Sequence, residues 1–381
     1  MSAQTGIAFI GTGFVADYYM TTLANHPQLR LTGAWDVDAV RLKQFCDHWK
    51  VSAYASADAL LADPAVRIVV NLTPPESHHA VNRAALVAGK HVYCEKPLAM
   101  TVEGAIELVK IAEDRNLVLA GAPANALSDA HAHCARILQS GVIGSPRLVY
   151  AEMEDGPVFL DNWQTWRSQS GAVWPGVHEF EIGCTLEHAG YATSWLVSLF
   201  GPVSHVAAFS ALTFPEKGPG TEMLTLAPDF SVGCLTFRSG LVARLTSGLA
   251  APRDRSLTIV GEKGTIVVRD LWDNRSPVHV ELPGSRRPIL HRLVDRLERR
   301  LKRRFGFRLT SGRAVPYPDR QTGKALPSYP SQIDFVRGIA DQADAIAAGK
   351  VPFFSGRNAL HLTDIVLALN AGKRDHVPVE P

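Results

Sequence analysis

Gly6-Ile7-Ala8-Phe9-Ile10-Gly11-Thr12-Gly13-Phe14-Val15-Ala16 is the stretch that decides the fold. An apolar run of strand length stops at a G-x-G-x-x-A turn, and a helical pattern follows. In such a turn Gly11 permits the sharp reversal, Gly13 lets the backbone approach a pyrophosphate, and the small Ala16 allows close helix packing. The helix start, with Thr12, Phe14 and Val15 around it, then offers amide donors and a positive dipole end to an anion. Asp36, at the end of the next β-rich run, stands 25 residues after Gly11. Its carboxylate can accept from both ribose hydroxyls and would repel a 2′-phosphate, so NAD is expected and NADP is disfavoured. Asp38 supports that reading, and the nearest basic residue is Arg41. The competing reading is that Asp36 only caps the following helix.

Outward from this turn, β-rich runs at Gly6–Ile10, Leu29–Trp35, Ile68–Asn71, His91–Glu95 and Leu117–Ala122 alternate with amphipathic stretches such as Val102–Arg115. That alternation predicts an α/β, doubly wound parallel sheet over residues 1–123. After a helix over Ser128–Ser140 the pattern changes. Arg147–Met153, Val203–Ala211, Phe230–Arg238, Leu241–Leu249, Leu257–Val260 and Thr265–Asp270 read as strands joined by short glycine turns. Residues 124–381 are therefore expected to form a second α/β domain with an open, largely antiparallel sheet. Two helical patterns, Gln332–Ala348 and Arg357–Ala371, end the chain and can return to either domain.

The 381 residues are 46% hydrophobic and 20% charged, enough for a large core and two domains. No apolar run reaches a membrane span and no leader pattern precedes the first strand, so a cytoplasmic address is expected. Five cysteines without a C-x-x-C pair argue against a disulfide framework and a metal site. The net charge of +2 conceals an asymmetry, because residues 286–313 hold eleven Lys/Arg against Asp295 and Glu298 and the remainder is net −7. That distribution is not a nucleic-acid binder's. Within the segment Ile289, Leu290, Leu293, Val294, Leu297, Leu301 and Phe305 recur at helical spacing, which reads as a basic amphipathic helix. It can lie on an anionic membrane as a peripheral contact, approach a diphosphate-linked substrate, or cover the sheet in an oligomer.

Two further motifs, Thr73-Pro74-Pro75-Glu76-Ser77-His78 and Glu95-Lys96-Pro97, follow the glycine turn in order. With them the chain resembles the Gfo/Idh/MocA (glucose-fructose oxidoreductase / inositol dehydrogenase-like) family over almost its whole length. The resemblance implies a Rossmann domain, a C-terminal α/β domain whose open sheet mediates homo-oligomerisation to a dimer or tetramer, and an active site between them. It places Lys96 beside the nicotinamide and the reacting carbon, where an ammonium can hydrogen-bond the substrate oxygen and stabilise its negative charge. Thr73 and Pro74 are expected to line the nicotinamide ribose. Glu95 pairs with Lys96 or binds the ribose, Pro97 is a candidate cis proline, and His78 either caps the next helix or touches substrate.

A second family signature, G-G-G-x-x-x-D-x-G-x-H-x-x-D, departs here to Gly183-Cys184-Thr185-Leu186-Glu187-His188-Ala189-Gly190-Tyr191-Ala192-Thr193-Ser194. Counting back from Gly201-Pro202-Val203 puts Tyr191 where the acid/base histidine is expected, Glu187 at the first Asp and Ser194 at the second. Two readings stand. Tyr191 is the acid/base, its pKa lowered by Lys96; or His188, one turn earlier on the same face, moves the proton with Glu187 orienting it. Asn125 survives from an Asn-x-Arg-like motif whose basic residue is missing. Arg167, beside Trp166, is a replacement anion contact, and His178 and Glu179 lie in an unusual insertion, 172–180. The expected activity is hydride transfer at a secondary alcohol or ketone of a sugar or nucleotide-sugar. Glycoside hydrolysis with a recycled NAD, and non-catalytic NAD binding, are the alternatives.

Overall fold

The computed structural model describes residues 4–283, 313–319, 323–328 and 331–381. The basic segment of residues 286–313, with its three readings, therefore lies outside the described residues, save Arg313. The N-terminal unit is β1 (Thr5–Ile10), α1 (Phe14–Leu23), β2 (Leu29–Trp35), α2 (Ala39–Trp49), α3 (Ala57–Ala62), β3 (Ile68–Asn71), α4 (Pro75–Val87), β4 (His91–Cys94), α5 (Val102–Asp114) and β5 (Leu119–Gly121). Its strands form one parallel sheet in the order β2-β1-β3-β4-β5, so the chain switches direction at β1/β3. The strands are buried on both faces, as expected where helices cover both sides. The carboxyl ends of β1, β3 and β4 carry the glycine turn, Thr73-Pro74 and Glu95-Lys96-Pro97, at the crevice where open α/β sheets hold ligands.

The remainder runs α6 (Asp129–Gln139), β6 (Pro146–Glu154), α7 (Gly176–Ile182), α8 (Cys184–Phe200), β7 (Val203–Ala211), β8 (Phe230–Phe237), β9 (Val242–Gly248), β10 (Leu257–Gly261), β11 (Thr265–Val268), β12 (Val278–Glu281), β13 (Arg313–Ala314), α9 (Arg337–Ala348) and α10 (Gly356–Asn370). The second sheet has the order β13-β12-β11-β10-β6-β9-β8-β7, antiparallel except for the parallel pair β6/β9. Its strands alternate: Val149, Ala151, Leu235, Ala243, Leu245, Ile259 and Ile266 are buried against helices, while Tyr150, Val232, Cys234, Arg244 and Thr246 occupy the other face.

Helix α8 is the wedge between the two units. Gly183 and Gly201, both at positive φ, bound it, and its residues are buried almost all round, as a helix inside a core must be. Gly190 faces Pro123 of the first unit, an added Cβ lying at an ordinary contact distance of 3.8 Å. The C-terminal helices do not choose one domain. Helix α10 packs on α5, α8 and β7, and the Gln342 amide of α9 donates to the carbonyls of Val92 and Val118 on the first sheet.

Candidate active site

Glycine is required at Gly11, where φ is +98° and a Cβ would stand 2.6 Å from the Leu72 carbonyl. At Gly13, by contrast, a Cβ would meet nothing within 4 Å. Gly13 is also the cap position of α1 and no side chain covers that helix end. Open space above free amides fits the pyrophosphate of a dinucleotide.

Asp36 accepts from the Thr12 N–H and hydroxyl (2.7 and 2.9 Å), the Asp38 N–H (2.9 Å) and the Arg41 guanidinium (3.1 and 3.2 Å). Burial pushes its carboxyl up, but Arg41 and the two N–H groups outweigh burial and hold it below the usual aspartate value. Asp36 is not a helix cap: Asp38 caps α2, accepting from Val40 and Arg41. That corrects the support drawn from Asp38, and Arg41 is a partner the sequence reading had set aside.

Thr73 is fixed by Asn71, whose Oδ1 accepts from its N–H and hydroxyl (3.1 and 2.6 Å), and Pro74 occupies the cap position of α4. His78 does not cap the helix, whose cap position is Pro74. It is fully buried, with Nδ1 2.6 Å from the Pro97 carbonyl and Nε2 2.9 Å from that of Thr73. It ties the two motifs together. The Lys96-Pro97 bond is cis, as is Ala122-Pro123. Glu95 pairs with Lys96 only through the backbone, accepting the Lys96 N–H at 3.2 Å, while Tyr19 donates to it at 2.6 Å.

The Lys96 ammonium crosses to α8 and donates to Glu187 Oε2 at 2.5 Å, lying 5.9 Å from the Tyr191 ring centroid. Burial would pull the ammonium down, yet Glu187, Tyr191 and Glu95 outweigh it and hold Lys96 above the usual lysine range. The same pairing holds the Glu187 carboxyl low against the upward push of burial. For Tyr191 the balance reverses the sequence expectation: burial raises the phenol well above its ordinary value, and Lys96 only partly opposes it. Tyr191 is a protonated hydroxyl, not a phenolate.

His188 is not oriented by Glu187, which is engaged by Lys96. Its Nε2 lies between Glu179 Oε1 (3.5 Å) and Asp155 Oδ2 (3.6 Å). Burial lowers its pKa despite Asp155, so the ring is neutral at pH 7, while burial together with Glu187 and Asp155 raises Glu179 far above the usual range. Trp272 packs on both candidates, its ring centroid 4.7 Å from that of Tyr191 and 5.6 Å from that of His188.

Three of the residues expected at the substrate have partners within the protein. The Asn125 amide donates to the Tyr191 and Leu271 carbonyls and accepts from Ser194, bracing α8 from behind. The exposed Arg167 donates from Nη1 to the carbonyls of Gln164 and Trp166. Trp166 packs with Trp163, Trp174 and Phe180 in a satellite core. His178 lies 3.1 Å from Glu76, across the cleft. Sequence reasoning missed Tyr19, Asp155, Arg255 and Trp272. Only the acidic run Glu152-Met153-Glu154-Asp155 at the end of β6 signalled one of them.

Residues 5–121 match the model of the oxidoreductase family with an NAD-binding Rossmann fold, and residues 131–267 match the GFO/IDH/MocA C-terminal domain. Among relatives, UDP-N-acetylglucosamine 3-dehydrogenase of Acidithiobacillus ferrooxidans is 30% identical over 56% of this chain and 69% of its own. The 1,5-anhydro-D-fructose reductase of Ensifer adhaerens is 37% identical over 58% and 62%. Among solved structures, a levoglucosan dehydrogenase in complex with NADH and levoglucosan superposes with a TM-score of 0.74 at 20% identity, covering 97% of each chain. With both family models matched in order, and the glycine turn and Glu95-Lys96-Pro97 meeting α8 at one cleft, this chain belongs to the GFO/IDH/MocA family of oxidoreductases.

Proposed function

We propose that the protein moves a hydride between NAD(H) and a secondary alcohol or ketone carbon of a sugar or nucleotide-sugar. The observation that carries this reading is the protonated Lys96 ammonium, held by Glu187 at the mouth of the cleft and flanked by the Tyr191 hydroxyl and a neutral His188. The sugar and nucleotide-sugar names of the relatives support the substrate class. The Thr12–Val15 turn, Thr73 and Pro74 hold the cofactor, and the ionised Asp36 favours NAD over NADP.

The nicotinamide, when bound, supplies the hydride acceptor or donor. Lys96 donates a hydrogen bond to the reacting oxygen and stabilises its negative charge, while Glu187 keeps the ammonium charged and aimed. Tyr191, kept protonated by burial, supplies a second donor to that oxygen. His188, kept neutral by burial beside Asp155 and Glu179, takes the proton when an alcohol is oxidised and returns it when a ketone is reduced.

The open face of the second sheet is assigned to homo-oligomer contact. Among the described residues no helix is long and apolar enough to cross a membrane.

The test is nicotinamide absorbance with a panel of sugars and nucleotide-sugars, using NAD and NADH. Net turnover with a panel member supports the oxidoreductase. Retained NAD, no net turnover and cleavage of a glycoside would replace it with the cofactor-recycling hydrolase.

A further inference from the structure

Arg255, just before β10, is 2% exposed, yet none of its three guanidinium nitrogens has a hydrogen-bond partner. Its Nε lies 3.8 Å from Asp155 Oδ1 and 3.7 Å from Asp270 Oδ1, beyond hydrogen-bond reach, and its Cζ sits 4.1 Å from the Trp272 ring centroid. The acceptor beside it, Asp155 Oδ1, is also buried and unmet. Buried donors and acceptors in native proteins are almost always satisfied by protein, ordered water or a ligand, so this cluster is open to a bound group. Through Trp272 it adjoins Tyr191 and His188, and so the site of the chemistry.

The composition of the cluster selects the ligand. An anion only accepts, so it would leave Asp155 Oδ1 bare. It would also add negative charge where Arg253 and Arg255 already face Asp155 and Asp270, and where Lys96 already faces Glu187. A hydroxyl accepts from a guanidinium and donates to a carboxylate with the same oxygen. We propose that Arg255, Asp155 and Trp272 form a recognition subsite that reads neutral hydroxyls on the part of the substrate remote from the reacting carbon. This rests on the sugar assignment of the cleft.

The experiment uses the full-length, NAD-loaded protein as wild type, Arg255→Gln and Arg255→Lys, with retained NADH affinity as the check on folding. Lysine keeps the charge and loses the fork, so it covers the case in which Gln leaves Asp155 and Asp270 without a countercharge and the chain does not fold. The probes are D-glucose, N-acetyl-D-glucosamine and levoglucosan, with D-gluconate and glucose 6-phosphate as anionic counterparts, each followed by calorimetric titration and by turnover. The expected result is that at least one neutral probe binds the wild type and is weakened at least about tenfold in both variants, through KM more than kcat, while the anions gain nothing over glucose. Affinities equal in wild type and variants, no neutral probe bound by the wild type, or an anion bound more tightly through Arg255 each overturn the subsite. Turnover that ignores Arg255 removes the subsite and keeps the sugar oxidoreductase. Arg255-dependent binding without turnover does the reverse.

Discussion

At the scale of the residue, the site separates protonation states by placing each group beside a different neighbour. Lys96 and Tyr191 are both buried, yet Lys96 stays charged because Glu187 is 2.5 Å away, and Tyr191 stays neutral because no comparable partner favours its phenolate. Lys96→Met is expected to reduce turnover by on the order of 10²-fold or more while NADH affinity, measured by fluorescence titration, changes little. The acid/base assignment is decided by pH. His188 has a depressed pKa, so alcohol oxidation should be constant near neutrality and fall as pH drops through a value below 6.5. In His188→Gln that acid limb disappears along with most activity. Were Tyr191 the base, oxidation would instead climb at alkaline pH, because its pKa is raised, and Tyr191→Phe would remove the climb.

Elements set these neighbours. The glycine turn works through two glycines for different reasons, and substitution should separate them. Gly11→Ala drives a Cβ into the Leu72 backbone at positive φ, so both thermal stability and NADH binding should fall. Gly13→Ala enters open space, so the melting temperature should hold while NADH affinity drops. A second element-scale device is the connection from β7 to β8, pinned by a buried pair, Lys217 to Asp229 at 2.5 Å, with Lys217 over Phe159. Asp229 also accepts from Thr213 and Phe214. Burial pushes its carboxyl up, but Lys217 and these donors hold it below the ordinary value. A depressed folded-state pKa means that the stabilisation is present above the unfolded aspartate value of about 3.9 and is lost as pH falls through the folded one. Lys217→Met should therefore lower the unfolding free energy by about 3–5 kcal/mol at neutral pH, and by less in denaturant melts at acidic pH.

Over the whole molecule, the cleft is assembled by contacts that cross between the two units. Lys96 meets Glu187, His178 approaches Glu76, and the Ser170 N–H and hydroxyl donate to Asp17 on α1. The opposite face of the second sheet is open, with Tyr150 and Phe209 38% and 55% exposed and Val232 of β8 paired directly with Phe209 of β7. If that face joins copies of the chain, light scattering should give a multiple of 41.4 kDa for the wild type, and Val232→Arg should return the monomer mass without loss of NADH binding.

Sequence alone determined what depends on local pattern. Strand and helix periodicity and the glycine turns gave the first sheet, and strands β6 to β11 of the second, to within a few residues, because burial on one or two faces writes a period directly into the chain. Lys96 was legible for the same reason, since motif and strand end coincide. The short strand β12 and helix α7 escaped, being too brief for a period to register. Tertiary structure decided everything that depends on which distant side chain arrives: Glu187 rather than Glu95 on the Lys96 ammonium, Tyr19 on Glu95, Arg41 on Asp36, and Asn125 turned inward to brace α8. It also decided the sign of the Tyr191 shift, because desolvation is a property of the packed interior and no spacing along the chain encodes it. Arg255 and Asp155 are neighbours only because β6 and β10 pair, a register that the sequence does not state.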